Sequence, residues 1–349
     1  MAPQNLERPL ALRCGAFGDM VLLTALIRVV HAEFGVPVDI VTSGPWSEPL
    51  LRGQPGVGEI FSVRSRKTPY WMSTDQQRVV RQLRARGAGP VWFCDGDEAA
   101  MPLLERAGIQ SQYIVDVKDH PLLPGEHAAQ QWRRLAQIMP GAVTAVASTG
   151  IDAVLPGCYL EVTQVQRAEL TTWLRTRDLA DQPLILVQIG NKRTMRRGPR
   201  RMAVNNKHWP IERWAEVLRF LRRQHPRHAL VLLGTGPEFQ LNQELAALAR
   251  IGGLHNVADD LPIPRLVALL DRAAGLLTVD SGPAHAAAAV GCPQVVLFGK
   301  ALPSLYKPWG TAGADVQLLT GSIDGEPTML GIEAGSVIAA WSRLKLRGD

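Results

Sequence analysis

Leu10-Ala-Leu-Arg-Cys-Gly-Ala-Phe-Gly-Asp-Met-Val-Leu-Leu-Thr-Ala-Leu-Ile-Arg-Val-Val-His-Ala-Glu33 is the stretch that decides the fold. Its first five residues are short and mostly apolar, the pattern of a strand covered on both faces. A tight Gly15-Ala-Phe-Gly18-Asp19 turn follows. From Met20 to Glu33, Leu22, Leu23, Leu26, Ile27 and Val30 recur at helical spacing. Strand, glycine turn and helix make the first half of a βαβ unit, and the same order repeats down the chain. Further strands are expected at 38–41, 59–63, 91–94 and 112–115, with helices over 75–86 and 126–138. After a helix near 167–176 the cycle restarts, with strands at 184–188, 229–233, 275–279 and 294–298. Helices over 211–223, 240–250, 263–272 and 283–290 alternate with them. Such alternation builds parallel sheets through right-handed crossovers. The expectation is an α/β protein of two doubly wound domains. Ligands of such sheets bind beyond the carboxyl ends of the strands, here in a cleft between the domains.

Length and composition agree. At roughly 150 residues per domain, 349 residues make two. With 46% hydrophobic and 20% charged residues the chain is neither disordered nor fibrous. The net charge of +6 is a mild excess, and 6% aromatic residues offer no base-stacking surface, so no nucleic-acid partner is expected. Cys14, Cys94, Cys158 and Cys292 lie far apart without metal-ligand or disulfide spacing; Cys14, Cys94 and Cys292 sit in or beside apolar runs, so buried free thiols in a reducing cytoplasm are expected of those three. No signal-peptide core and no span of membrane length is present in the sequence.

Five loops carry candidate chemistry. In Gly15–Asp19 the glycines allow close backbone approach, and Asp19 either caps the helix or serves as a general base. The spacing is not that of a dinucleotide fingerprint. In Thr278-Val-Asp280-Ser281-Gly282-Pro283-Ala284-His285 a strand ends and a helix begins with proline in its first turn, a ready anion site or else a plain capped helix. Asn205-Asn206-Lys207-His208-Trp209-Pro210 puts a lysine at a helix start, solvated or paired with a diphosphate. In Gly234-Thr-Gly236-Pro-Glu238, Glu238 either accepts ribose hydroxyls or caps the next helix. Finally, Lys192, Arg193, Arg196, Arg197, Arg200, Arg201 and Lys207 put seven cations in sixteen residues with no acid. That run is either a solvated loop or a surface for anions. A smaller cluster, Arg64-Ser-Arg66-Lys67, follows the third strand.

Taken in order, these segments resemble glycosyltransferase family 9, the ADP-heptose:lipopolysaccharide heptosyltransferases. The resemblance rests on Arg13 to Leu22, Lys207-His-Trp-Pro210, Gly234 to Glu238 and Asp280-Ser-Gly-Pro-Ala-His285. Val295-Val-Leu-Phe-Gly299 with Pro308-Trp-Gly310 completes it. It implies a GT-B fold, two Rossmann-like domains facing a central cleft. Residues 1–175 would hold the acceptor and residues 176–335 the nucleotide-sugar, with the helix in 336–349 packing back on the first domain. It implies an inverting, metal-independent transfer from ADP-heptose or a related nucleotide-sugar, with no cofactor. Asp19 would be the general base and Lys207 would neutralise the departing diphosphate. Gly234, Glu238, Asp280, Ser281, Gly282 and His285 would bind the donor, with Asp280 and His285 either touching sugar hydroxyls or bracing the loop. Gly18, Arg64, Arg66 and Lys67 would bind an anionic lipopolysaccharide core acceptor through its phosphate and Kdo carboxylate groups. A cytoplasmic enzyme touching the inner membrane peripherally would follow. The basic insertion 193–205 is longer than the family pattern leads one to expect, and the acceptor half after residue 64 matches loosely. Three rivals remain: a family 9 enzyme with another sugar or acceptor, an NAD-dependent oxidoreductase, and a silent sugar-binding protein. The oxidoreductase lacks its third glycine, since Pro237-Glu238-Phe239 follows Gly236.

Overall fold

Leu10, Ala11 and Leu12 offer helix packing on both faces and are fully buried in strand β1, Leu10–Arg13. In the computed structural model, which describes residues 8–87, 89–143, 153–190 and 207–348, β1 runs through the middle of a parallel five-stranded sheet. Its partners are β2 (Val38–Ser43), β3 (Val57–Val63), β4 (Val91–Phe93) and β5 (Ile114–Asp116), in the order β3-β2-β1-β4-β5. Leu10 lies opposite Asp39 on one side and Val91 on the other. The helix Phe17–Phe34 makes the crossover to β2 and stops at Gly35, whose φ of 65° suits a residue without Cβ.

The second sheet repeats the plan with six parallel strands. They are β6 (Leu184–Gln188), β7 (Ala229–Leu232), β8 (Leu254–Asn256), β9 (Gly275–Val279), β10 (Gln294–Phe298) and β11 (Val316–Thr320). Their order is β11-β10-β9-β6-β7-β8. Both expected doubly wound domains are therefore present. The edge strands β8 and β11, the helix Met101–Ala107 and a small two-stranded hairpin at residues 322–327 go beyond the sequence reading.

Two boundaries differ from expectation. The chain divides into compact units between Leu160 and Glu161, ahead of residue 175. The cause is the helix Gln164–Arg175, which is tied to the second unit. Trp173 Nε1 donates to Asp260 Oδ2 at 2.8 Å, and Glu169 and Arg167 pair with Arg265 and Asp271. The helix Ala334–Arg343, expected to pack back on the first domain, belongs to the core of the second. Val337, Ala340 and Trp341 are buried there with Trp209, Trp214 and Leu218. At about 1.5–3 kcal/mol per large apolar side chain buried, that face fixes where the helix packs. Trp341 Nε1 adds a hydrogen bond to His225 Nε2 at 3.0 Å. All four cysteines are free thiols; Cys94 and Cys292 are buried as expected and so is Cys158, whereas Cys14, one residue past the end of β1, is only half-buried. Among the described residues no helix is long and apolar enough to cross a membrane.

Candidate functional site

In the first sheet the chain leaves β1 towards β2 and returns on the opposite side as β4, so a crevice opens beyond the carboxyl ends of β1 and β4. Asp19, third residue of the helix Phe17–Phe34, stands there. Its Oδ2 accepts the Ala16 N–H at 2.7 Å, and its Oδ1 lies 3.2 Å from Arg13 Nη2. The capping role is thus present, yet the side chain keeps 36% of its surface exposed, enough to meet a ligand. Gly15 is required beside it, because a Cβ there would lie 2.5 Å from Asp19 Cβ. Gly18 sits in the same first turn.

Arg13 and Asp95 complete this crevice, and sequence reasoning missed both as site residues. Arg13 Nη1 donates to Cys94 O at 2.6 Å, and its guanidinium lies 5.5 Å from the centre of the Trp132 ring. Asp95 is buried just past β4. Its Oδ1 accepts the Cys14 N–H at 2.8 Å and its Oδ2 accepts from Arg66 Nη1 at 2.9 Å. Burial pushes the Asp95 carboxyl above its usual range, against the pull of the Cys14 N–H, Arg66 and Arg13. Arg66 Nη1 also reaches Asp97 Oδ1 at 2.9 Å. Of the expected acceptor cations, only Arg66 joins this network, and two carboxylates already share its charge. Arg64 lines a separate depression, and Lys67 is exposed. The available signal was Asp95-Gly96-Asp97 directly after a buried strand.

The second sheet has its own switch point, between β6 and β9. Asp280 leaves β9 with its N–H on Leu297 O at 2.8 Å. Lys207 Nζ lies 2.6 Å from Asp280 Oδ2 and donates to Asp280 O at 2.9 Å. The segment delivering Lys207 is anchored by Trp209, which is buried edge-to-face on Trp214 and donates from Nε1 to Ile332 O at 2.8 Å. Ser281 precedes the helix Gly282–Ala289, its extended backbone turning the chain into the first turn, and its Oγ reaches Gln188 Oε1 at 3.4 Å across the switch point. The N–H groups of that first turn carry the positive end of the helix dipole. His285 is buried on the same helix.

Glu238 is the most constrained group of this set, with 3% of its surface exposed. Its Oε2 accepts both the N–H and the Oγ1–H of Thr235 at 2.8 Å. Among the described residues its Oε1 is buried without a partner, and a Cβ on Gly190, just past β6, would overlap it. Gly234 is similarly tight, since a Cβ there would lie 3.1 Å from Ala258 Cβ and from Glu238 Cβ. Burial raises the Glu238 carboxyl above its ordinary value, outweighing the two Thr235 bonds. The folded state therefore binds this proton more tightly than the unfolded state, and stability falls as pH rises from the unfolded value through the raised one. Glu238→Gln without ligand should then melt no lower than wild type at pH 7. That advantage should vanish below about pH 4.3, the unfolded carboxyl value, where both forms are neutral. Melting curves across pH check this.

Lys192, Arg193, Arg196, Arg197, Arg200 and Arg201, with the rest of the insertion 193–205, lie outside the described residues. Among the described residues, no three His, Cys, Asp or Glu side chains cluster as a metal site would need.

Comparison with known proteins points one way. Residues 118–321 match the family described as glycosyltransferase family 9 (heptosyltransferase). Lipopolysaccharide heptosyltransferase 2 of Salmonella typhimurium is 23% identical over 325 residues, covering 87% of this chain and 86% of that one. Among solved structures, a family 9 glycosyl transferase from Veillonella parvula superposes with a TM-score of 0.76 at 20% identity, covering 97% of each chain. The ADP-heptose lps heptosyltransferase II of E. coli does so with a TM-score of 0.71 at 19% identity, covering 96% of this chain and 97% of that one.

Proposed function

Because the chain belongs to glycosyltransferase family 9 (heptosyltransferase) and is a glycosyltransferase of the GT-B fold class, we propose that it moves a heptose from ADP-heptose to an anionic lipopolysaccharide core acceptor. The transfer inverts the anomeric centre and uses no metal. The observation that carries the donor half is the second switch point. There Lys207, the first turn of Gly282–Ala289 and the unpartnered oxygen of Glu238 sit at the carboxyl edge of one sheet. Cation and helix dipole suit a diphosphate, and a buried carboxylate oxygen suits a ribose hydroxyl. Asp280, Ser281, Gly282, Gly234 and His285 shape that same edge.

Asp19 is the general base in this reading. As the acceptor oxygen forms its bond to the anomeric carbon, the bond from that carbon to the diphosphate oxygen breaks. The hydroxyl proton passes to the Asp19 carboxylate, and the electron pair leaves with ADP, whose charge Lys207 and the fixed N–H dipoles stabilise. Arg13 holds the carboxylate in place, while Gly18 lets the acceptor approach. Arg64 and Lys67 meet acceptor anions, and Arg66 does so to the extent that its two carboxylates release it.

Incubation with ADP-heptose and a core lipid lacking its heptose tests the reading by mass spectrometry. One ADP should appear per heptose added, with the opposite anomeric configuration by NMR and no loss on chelation. Consumption of a different nucleotide-sugar instead would retain the family and remove heptose.

A further inference from the structure

Trp71 is 78% exposed and Met72 60% exposed, side by side on the short turn Tyr70–Met72 that precedes the helix Thr74–Arg86. Neither exposure comes from slack. The Met72 N–H donates to Pro69 O at 2.9 Å and the Ser73 N–H to Tyr70 O at 3.1 Å. Gln77 Nε2, from the helix, donates to Tyr70 O at 3.0 Å and Trp71 O at 3.3 Å. Tyr70 turns inward onto the core of the first unit, with the Arg106 guanidinium 4.7 Å from its ring centre. The turn therefore packs one half-buried aromatic ring against the core and holds the next two side chains outward on a fastened backbone.

Next to this ledge is a depression of about 450 Å³ lined by Ser62, Arg64, Thr74, Asp75, Arg78 and Arg81. Three arginines face one acid there. Asp75 is already engaged, accepting from Ser73 Oγ and from the Arg64 N–H. Those bonds hold its carboxyl below the ordinary range despite some burial. Arg78 spends one N–H on Ser62 O at 3.0 Å. Lys67 adds a further exposed cation on the loop between Arg64 and the turn.

We infer that this ledge is a membrane-contact surface. Trp71 and Met72 enter the headgroup–acyl boundary of an anionic bilayer while Arg78 and Arg81 meet lipid phosphates, with Arg64 and Lys67 beside them for the anions of the lipid-borne acceptor. The inference deepens the reading above and rests on it for the lipid-borne acceptor. Two observations favour a bilayer over a protein partner. The exposed apolar part is two side chains, far short of the roughly 800 Å² per partner that a stable protein interface needs. Indole beside guanidinium and ammonium groups is the combination that settles at the level of lipid headgroups.

The test is co-sedimentation of the full chain with vesicles of phosphatidylcholine alone, or with about one-third phosphatidylglycerol, without nucleotide-sugar or acceptor. Wild type should partition onto the anionic vesicles at least about tenfold more strongly than onto neutral ones, and added salt should weaken it. Trp71→Ser with Met72→Ser should lower partition by about tenfold, as should Arg78→Glu with Arg81→Glu. Both double variants should melt as wild type does and keep its ADP response. Wild type remaining in solution with anionic vesicles, or both double variants binding them as wild type does, overturns the inference. Because no acceptor is present, that result leaves the transferase reading intact. Vesicle binding by a chain that moves no heptose in the separate incubation with ADP-heptose and core lipid would instead remove the heptose-transfer reading and keep the surface.

Discussion

Asp19→Asn should lower acceptor turnover by about 10²-fold or more and leave the melting temperature nearly unchanged. One carboxylate has two separable jobs. As a cap, Asp19 accepts the Ala16 N–H at 2.7 Å, and an asparagine oxygen can do the same. Its pair with Arg13 is partly exposed, 36% on the aspartate side, so losing it costs at most about 1 kcal/mol. What asparagine cannot do is take a proton from a hydroxyl in the course of attack. Asp19→Ala should add a capping loss of about 0.5–2 kcal/mol to the same kinetic defect. Unchanged turnover in the asparagine variant, with only the alanine variant destabilised, would leave Asp19 a helix cap. Steady-state kinetics and a melt on the same preparations give both numbers.

Lys207→Ala should have the second large effect, and it too divides. Asp280 has a side chain only 9% exposed, and removing its cation leaves a carboxylate short of compensation. Breaking a fully buried pair costs about 3–5 kcal/mol. Lys207 itself is 24% exposed, so a loss of about 1–3 kcal/mol is the better expectation here. Separately, a charge-assisted hydrogen bond to the diphosphate is worth about 1.5–3 kcal/mol, or about 10- to 150-fold in ADP affinity. If Lys207 serves only to neutralise Asp280, the melt falls and ADP affinity measured by calorimetry holds. If Lys207 also meets the diphosphate, both fall.

The sequence makes the alternation of strands and helices plain because each central strand is a short apolar run covered on both faces. Edges and attachments are harder. Leu254-His-Asn256 has no apolar run of its own, and it becomes a strand because β7 leaves an open edge beside it. The helix Ala334–Arg343 is visibly apolar along Val337, Ala340 and Trp341, but nothing local says which of two cores it joins. The same holds for the site. Lys207, Glu238, Asp280, Ser281 and Gly282 stand on loops at strand ends, so one sheet edge gathers them as expected. Arg13 and Asp95 are 82 residues apart in the chain, and only the pairing of β1 with β4 makes them neighbours. Arg66 looks like a free cation in the sequence until Asp95 and Asp97 are placed against it.

The donor site is the centre of the account, and the melting temperature with ADP, UDP, GDP and NAD at matched concentration tests it most directly. At 100 times its dissociation constant a specific ligand adds about 2.7 kcal/mol to stability. ADP should raise the melt of wild type, and UDP, GDP and NAD should not. A shift with UDP or GDP and none with ADP would contradict an ADP-heptose donor, and a shift with NAD alone would contradict the transferase itself.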